Sequence, residues 1–214
     1  MMRRAVLVGL LLLAAFSLPG TVRAQALQPP PAPGLRTAAF AGGCFWCMEQ
    51  PFERLDGVTE VVSGYTGGTV ANPTYRLVGG GRTGHKEAVQ VTYDPARVSY
   101  RRLLDVFWRN VDPLDAGGQF CDRGQEYATA VYADDAEQRD AAERSKAAVR
   151  ERLGQPVATE IVEAGPFYRA EDYHQDYAAT NPLRYRYYRY SCGRDARLRQ
   201  LWGEEAGGQA VADR

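Results

Sequence analysis

The sequence predicts an α+β fold, a mixed and largely antiparallel sheet with helices packed on it, and three observations carry that prediction. Segments of strand character and of helical spacing alternate loosely along the chain. Some neighbouring strands lack the crossover helix that a doubly wound parallel sheet needs between them. Once a leader is set aside, about 190 of the 214 residues remain, enough for one domain with a substantial core.

The elements follow in order. Thr37 to Ala41 is a short apolar strand entering Gly42–Gly43, and Cys44 to Leu55 reads as a helix with Pro51 as a kink. Gly57 to Tyr65 is a Val-rich strand that runs into the flexible turn GYTGG. Glu87 to Tyr93 alternates as a half-buried strand. Ser99 to Asn110 carries Leu103, Leu104, Phe107 and Trp108 at helical spacing, with Ser99 as its cap. Tyr127 to Tyr132 reads as a strand, Asp134 to Leu153 as a polar, Ala-rich helix, and Val157 to Val162 as a strand. From Phe167 onward the chain is aromatic and reads as a long irregular C-terminal segment.

The ends are of different character. A basic start (Met1 to Arg4), an apolar run (Ala5 to Phe16) and a small-residue stretch (Ser17 to Ala26) have the order of a secretory signal. The apolar run falls short of the roughly 20 residues that span a bilayer. The expected division is therefore a signal peptide over 1–24 (cleaved after Ala24 or Ala26), a Pro-rich linker over 25–36, one catalytic domain over 37–203 and a disordered tail over 204–214. The expected location is the periplasm or the medium, with no stable membrane association after cleavage. Acidic and basic residues number 26 each, which argues against a nucleic-acid partner.

Cys44, Cys47, Cys121 and Cys192 all survive removal of the signal, and export places them where disulfides persist. A thiol at a helix start feels the positive end of the macrodipole, so Cys44 is the stronger nucleophile candidate. A plain Cys44–Cys47 disulfide stays open, although so short a loop stabilises little. Structural zinc usually shows a second close pair of thiols, which this chain lacks. Phe45 and Trp46 offer an apolar wall for a methyl or thioether group, with core packing the even alternative for one of them. Tyr75 lies in an NPTY turn, and Glu87 opens a strand where burial would hold its proton near neutral pH. Asp122 sits in a Gly-containing loop and Tyr127 at the head of a strand.

Taken together, GGCFWCMEQPF, VVSGYTGG, NPTY, TGHKEAVQVTYDP, DPLDAGGQFCDRGQEY, AEDYHQDY and CGRDARLRQLWG resemble the A-type peptide methionine sulfoxide reductases across nearly all of 38–203. The resemblance implies an α/β plait with a ferredoxin-like core, and reduction of methionine S-sulfoxide in oxidised proteins or as the free amino acid. It implies that Cys44 attacks the sulfoxide sulfur and that Glu87 protonates its oxygen. Tyr75 and Tyr127 hydrogen-bond that oxygen, Asp122 organises the site, and Phe45 and Trp46 hold the substrate methyl. Cys44 is left as a sulfenic acid that condenses with a second thiol, and a thioredoxin-like donor reduces the resulting disulfide. No metal or organic cofactor is implied.

The chain departs from many relatives in having Gly79, within VGGG, where they carry a cysteine. The resolving thiol is then Cys47, Cys121 or Cys192, and Cys192 ranks first because its Gly-flanked segment could swing to the site. Two other readings stay open. A thioredoxin-type oxidoreductase would use Cys44–Cys47 on disulfides. A binding module would use its four cysteines as two staples and leave no free thiol.

Overall fold

The structure is a computed structural model describing residues 27–208, so the expected signal peptide lies outside the described residues. In chain order the elements are β1 (Arg36–Ala41), α1 (Trp46–Glu53), β2 (Val58–Thr66), α2 (Tyr75–Val78), β3 (Lys86–Tyr93), α3 (Tyr100–Arg109), β4 (Gly118–Gln119) and β5 (Asp122–Arg123). They continue with β6 (Ala130–Ala133), α4 (Ala136–Leu153), β7 (Glu160–Glu163), β8 (Tyr168–Arg169), α5 (Tyr177–Thr180), α6 (Pro182–Ser191) and α7 (Arg194–Trp202). Six strands form one sheet in the order β7-β6-β1-β3-β2-β8, antiparallel at every pairing except β6–β7. That parallel pair has the longest helix, α4, as its crossover. The mixed, largely antiparallel sheet with packed helices is the expected fold class.

Period-two alternation explains why β1 sits inside the sheet. Ala38 and Phe40 join the main core with the helices, while Ala39 and Ala41 face a smaller cluster with Val62, Ala88 and Phe167. Phe40 stacks on Phe52 of α1 at 5.1 Å and on Phe107 of α3 at 5.3 Å, so the strand and two helices share one aromatic centre. The helical spacing in α3 buries Leu103, Leu104, Phe107 and Trp108, and the Ser99 hydroxyl accepts the Arg102 N–H at 3.2 Å as its cap.

Four expectations change. The strand expected from Tyr127 starts at Ala130, because Gly124 at φ 133° turns the chain into a short 3₁₀ turn over Gln125–Tyr127. The segment beyond Phe167 is largely helical rather than irregular. Asn181–Pro182 starts α6 with proline at its first position, and Gly193 in the left-handed region (φ 66°) separates it from α7. The linker is docked at its near end, where Leu27 bridges Tyr168 and the Gln28 N–H donates to the Phe167 carbonyl at 3.0 Å. Residues 204–208 are also ordered. Glu205 accepts from both Arg109 and Arg152 at 2.8 Å, and these two guanidiniums lie over the Trp202 ring. Among the described residues no helix is long and apolar enough to cross a membrane.

Candidate active site

The two glycines after β1 shape the entry to the site. A Cβ on Gly42 would lie 2.5 Å from the Met48 sulfur, and one on Gly43 would lie 2.5 Å from Gln119 Cβ. Gly43 also has φ +81°, which other residues rarely adopt. The chain therefore drops from the strand end without side chains and delivers Cys44 just ahead of α1. The Cys44 carbonyl accepts the Cys47 N–H at 3.0 Å. From the C-terminal end, buried Arg194 donates to the Gly42 carbonyl at 3.1 Å and the Asn110 carbonyl at 2.6 Å, locking this turn.

Cys44, Phe45, Trp46, Tyr75, Glu87, Asp122, Tyr127 and Tyr188 line one small cleft of about 70 Å³. All the residues expected to do chemistry on a sulfoxide are thus brought together, from β1–α1, α2, β3 and the β5 turn, and α6 adds Tyr188. A larger cleft of about 530 Å³ lies between α3 and α4, with Trp108 and Arg144 in its walls, but it contains none of these groups. Among the described residues no group of three or more His, Cys, Asp or Glu side chains is placed to hold a metal.

Glu87 is almost wholly buried, and one of its oxygens accepts the Phe45 N–H at 3.1 Å. Burial pushes its carboxyl up to about 8, opposed by that N–H and assisted by nearby Asp122 and Glu126. At neutral pH it is an acid with a proton to give. Burial also raises the phenols, Tyr75 to about 12 and Tyr127 higher still, so both remain hydrogen-bond donors. Asp122 is raised by burial too, with its hydrogen bond from Tyr188 and the charge of Arg194 pulling the other way.

The thiols depart from the expectation that the helix end would favour a Cys44 thiolate. Burial pushes Cys44 up, as do the hydrogen bond and charge of Cys47. Cys47 is drawn down to about 6 by the hydrogen bond from Cys44 and by Arg194 and Arg189. The resting proton therefore belongs to Cys44, the sulfur that lines the cleft.

The aromatic wall is built by long-range contacts. Trp46 stacks on Tyr177 at 3.7 Å with its plane tilted 6°, and its indole N–H donates to His174 Nδ1 at 3.1 Å. Phe45 is 1 % exposed and packs at 4.9 Å from His174, so it belongs to the core and to the cleft wall at once. Burial lowers His174 to about 4, leaving a neutral ring. Glu171 fixes Tyr75 by accepting its N–H at 3.0 Å, and accepts the Tyr65 hydroxyl at 2.8 Å. Sequence reasoning quoted AEDYHQDY and CGRDARLRQLWG without assigning roles to Glu171, His174 or Arg194. It missed Tyr188, which the Arg/Tyr alternation of its segment conceals.

Cys121 and Cys192 are joined in a disulfide across 71 residues, with Cα atoms 4.9 Å apart. Cys192, placed first as the resolving thiol on a swinging segment, is instead tied at the end of α6 to the exposed residue beside Asp122. The free thiols are Cys44 and Cys47, both buried. One staple and one buried pair do not match a module held by two staples.

Comparison with known proteins agrees with this geometry. The family model described as peptide methionine sulfoxide reductase matches residues 36–206. Peptide methionine sulfoxide reductase MsrA of Bacillus licheniformis is 51 % identical over 170 residues, covering 78 % of this chain and 94 % of the relative. The crystal structure of reduced Mxr1 from Saccharomyces cerevisiae is similar at TM-score 0.68 and 30 % identity, over 72 % of this chain and 90 % of that one. Mxr1 in complex with Trx2 shares the fold at TM-score 0.51 and 23 % identity, over 71 % and 91 %. The chain belongs to the peptide methionine sulfoxide reductase family, and its reaction is the thiol-dependent reduction of methionine sulfoxide to methionine.

Proposed function

We propose that the protein is an exported repair enzyme acting on the S epimer of methionine sulfoxide, in oxidised proteins and as the free amino acid. The observation that carries the mechanism is the buried, protonated Glu87 lining the same cleft as Cys44. Cys44 attacks the sulfoxide sulfur as a thiolate while Glu87 gives its proton to the oxygen. Tyr75 and Tyr127 donate hydrogen bonds to that oxygen as its charge grows. Phe45 and Trp46 hold the methyl, and Asp122 holds the remaining polar edge. The protonated oxygen then passes from the methionine sulfur to Cys44. The old sulfur–oxygen bond and the transient sulfur–sulfur bond break, and a new sulfur–oxygen bond forms on Cys44. Methionine leaves with its sulfur reduced and Cys44 oxidised to a sulfenic acid.

Cys47 is the resolving thiol. It is free, adjacent, and held towards its anion by Arg189 and Arg194, so its sulfur attacks Cys44, the oxygen leaves as water, and a disulfide closes. A thioredoxin-like dithiol then reduces that disulfide, the kind of partner with which the yeast neighbour was solved. Export is supported by the basic, apolar and small-residue order of the N-terminus and by a disulfide that reaches the surface at Cys121.

An assay of each sulfoxide epimer with dithiothreitol tests the reaction. Turnover of the S epimer and none of the R epimer is expected, and equal rates would remove the stereochemical assignment. Fractionation of cells with mass spectrometry of the N-terminus tests export. Full-length protein confined to the cytoplasm would reject it.

A further inference from the structure

Attack on sulfur requires the thiolate, yet the proton in the resting site sits on Cys44. The titratable groups facing that sulfur are Cys47 beside it, Glu87 from β3, Tyr75, Tyr127, Asp122 and Tyr188. Glu87 and the phenols of Tyr75 and Tyr127 hold their own protons at neutral pH, so none of them is a resting base. Asp122 is the carboxylate left in the cleft, and one side chain joins it to the nucleophile. The Tyr188 hydroxyl donates to Asp122 Oδ2 and lines the same small cleft as Cys44, whose anion it favours.

We propose that Tyr188 is a further catalytic residue, a hydroxyl bridge that carries the Cys44 proton to Asp122. The thiol gives its proton to the Tyr188 oxygen while the Tyr188 hydroxyl gives its own to Asp122. A thiolate, a neutral phenol and a carboxylic acid result, and no electrons change hands. The proton gained by Asp122 and the one that Glu87 hands to the sulfoxide oxygen are rebalanced through solvent between turnovers.

The fold holds the bridge from both ends. Trp46 meets the Tyr188 ring edge-on at 5.9 Å. Arg189, the next residue, pairs with Asp195 at 2.6 Å across the α6–α7 break. The disulfide joins the neighbour of Asp122 to Cys192, one helical turn beyond Tyr188. The covalent link thus brackets the hydrogen bond it protects.

The inference rests on Cys44 being the attacking thiol, and the decisive measurement reads that thiol without any sulfoxide. Iodoacetamide labelling of Cys44, followed by peptide-resolved mass spectrometry across pH, gives its ionisation midpoint. A hydrogen bond to a charged group predicts that Tyr188→Phe moves this midpoint up by roughly one to two pH units. Asp122→Asn removes a nearby anion as well as the acceptor, so its readout is the rate of attack at pH 7, which should fall about as far as in Tyr188→Phe, with the double variant no slower. At pH 7, kcat/KM should fall about tenfold or more in Tyr188→Phe and recover in alkali, with KM little changed. Tyr188→Phe keeps the ring against Trp46, and Asp122→Asn supplies a second variant if the first folds poorly. The rival acceptor is Cys47. A midpoint that stays at the wild-type value in Tyr188→Phe, with the rate of attack at pH 7 falling only in Cys47→Ser, would overturn the bridge while leaving sulfoxide reduction intact.

Discussion

Replacing Glu87 with Gln should weaken the reaction and strengthen the fold, and the two effects have separate pH signatures. The carboxyl titrates near 4.5 in an exposed chain and near 8 in the folded protein. Below pH 4.5 both states are protonated and the residue has no influence on stability. As pH rises past 4.5 the unfolded chain releases the proton and the folded one keeps it, so stability falls until about pH 8. At about 1.4 kcal/mol per pH unit, the gap between 4.5 and 7 corresponds to about 3 kcal/mol of lost stability at pH 7. Gln removes that loss, and its amide oxygen still accepts the Phe45 N–H. Urea unfolding should therefore show Glu87→Gln more stable than wild type by up to about 3 kcal/mol at pH 7 and no more stable at pH 4. Single-turnover formation of methionine should meanwhile slow by about 10² to 10⁴, the usual effect of removing a general acid. The wild-type fall in rate above about pH 8 should disappear in the variant. Equal stability of the two proteins at both pH values would refute the buried, protonated carboxyl. An unchanged rate would move the acid role to Tyr75 or Tyr127.

Two further predictions separate structure from chemistry. Cys47→Ser should release one methionine per enzyme and then stall with a thioredoxin-like donor, whereas Cys192→Ser should still close a Cys44–Cys47 disulfide and lose up to about 4 kcal/mol of stability, as expected for opening a 71-residue cross-link; mass spectrometry after one equivalent of sulfoxide distinguishes them. Gly43→Ala should lower stability by about 2–4 kcal/mol, measured by thermal unfolding, because the added Cβ meets Gln119 in a left-handed conformation.

How far the sequence could be read depended on where each segment finds its partners. The α3 stripe faces the main apolar core, so its period and its Ser99 cap were legible. Cys44 stood out as a thiol at a helix start, whereas the sulfoxide roles of Phe45, Trp46, Glu87 and the two tyrosines came from the family resemblance of their segments, and the cleft unites them. In α6 the side chains meet polar groups: Tyr188 reaches Asp122, Arg189 reaches Asp195, and Tyr185 is the one buried residue. A helix held that way shows no apolar period, and its chain reads as irregular. The pairing of Cys121 with Cys192 is equally silent, because cysteine spacing does not encode connectivity. The thiolate preference failed for Cys44 because burial and a second thiol outweigh the helix end here.

The contribution of α6 and α7 to the front of the molecule has a consequence for biosynthesis. Cys44 leaves the ribosome some 150 residues before Arg194, the side chain that clasps Gly42. Until the last helices arrive, the N-terminal thiols lack Tyr188, Arg189 and Arg194 and stand as ordinary cysteines on an unfinished sheet. The cleft that gathers Cys44 with Asp122 and Tyr188 is thus closed only by chain completion, because its α6 wall is among the last parts to be made.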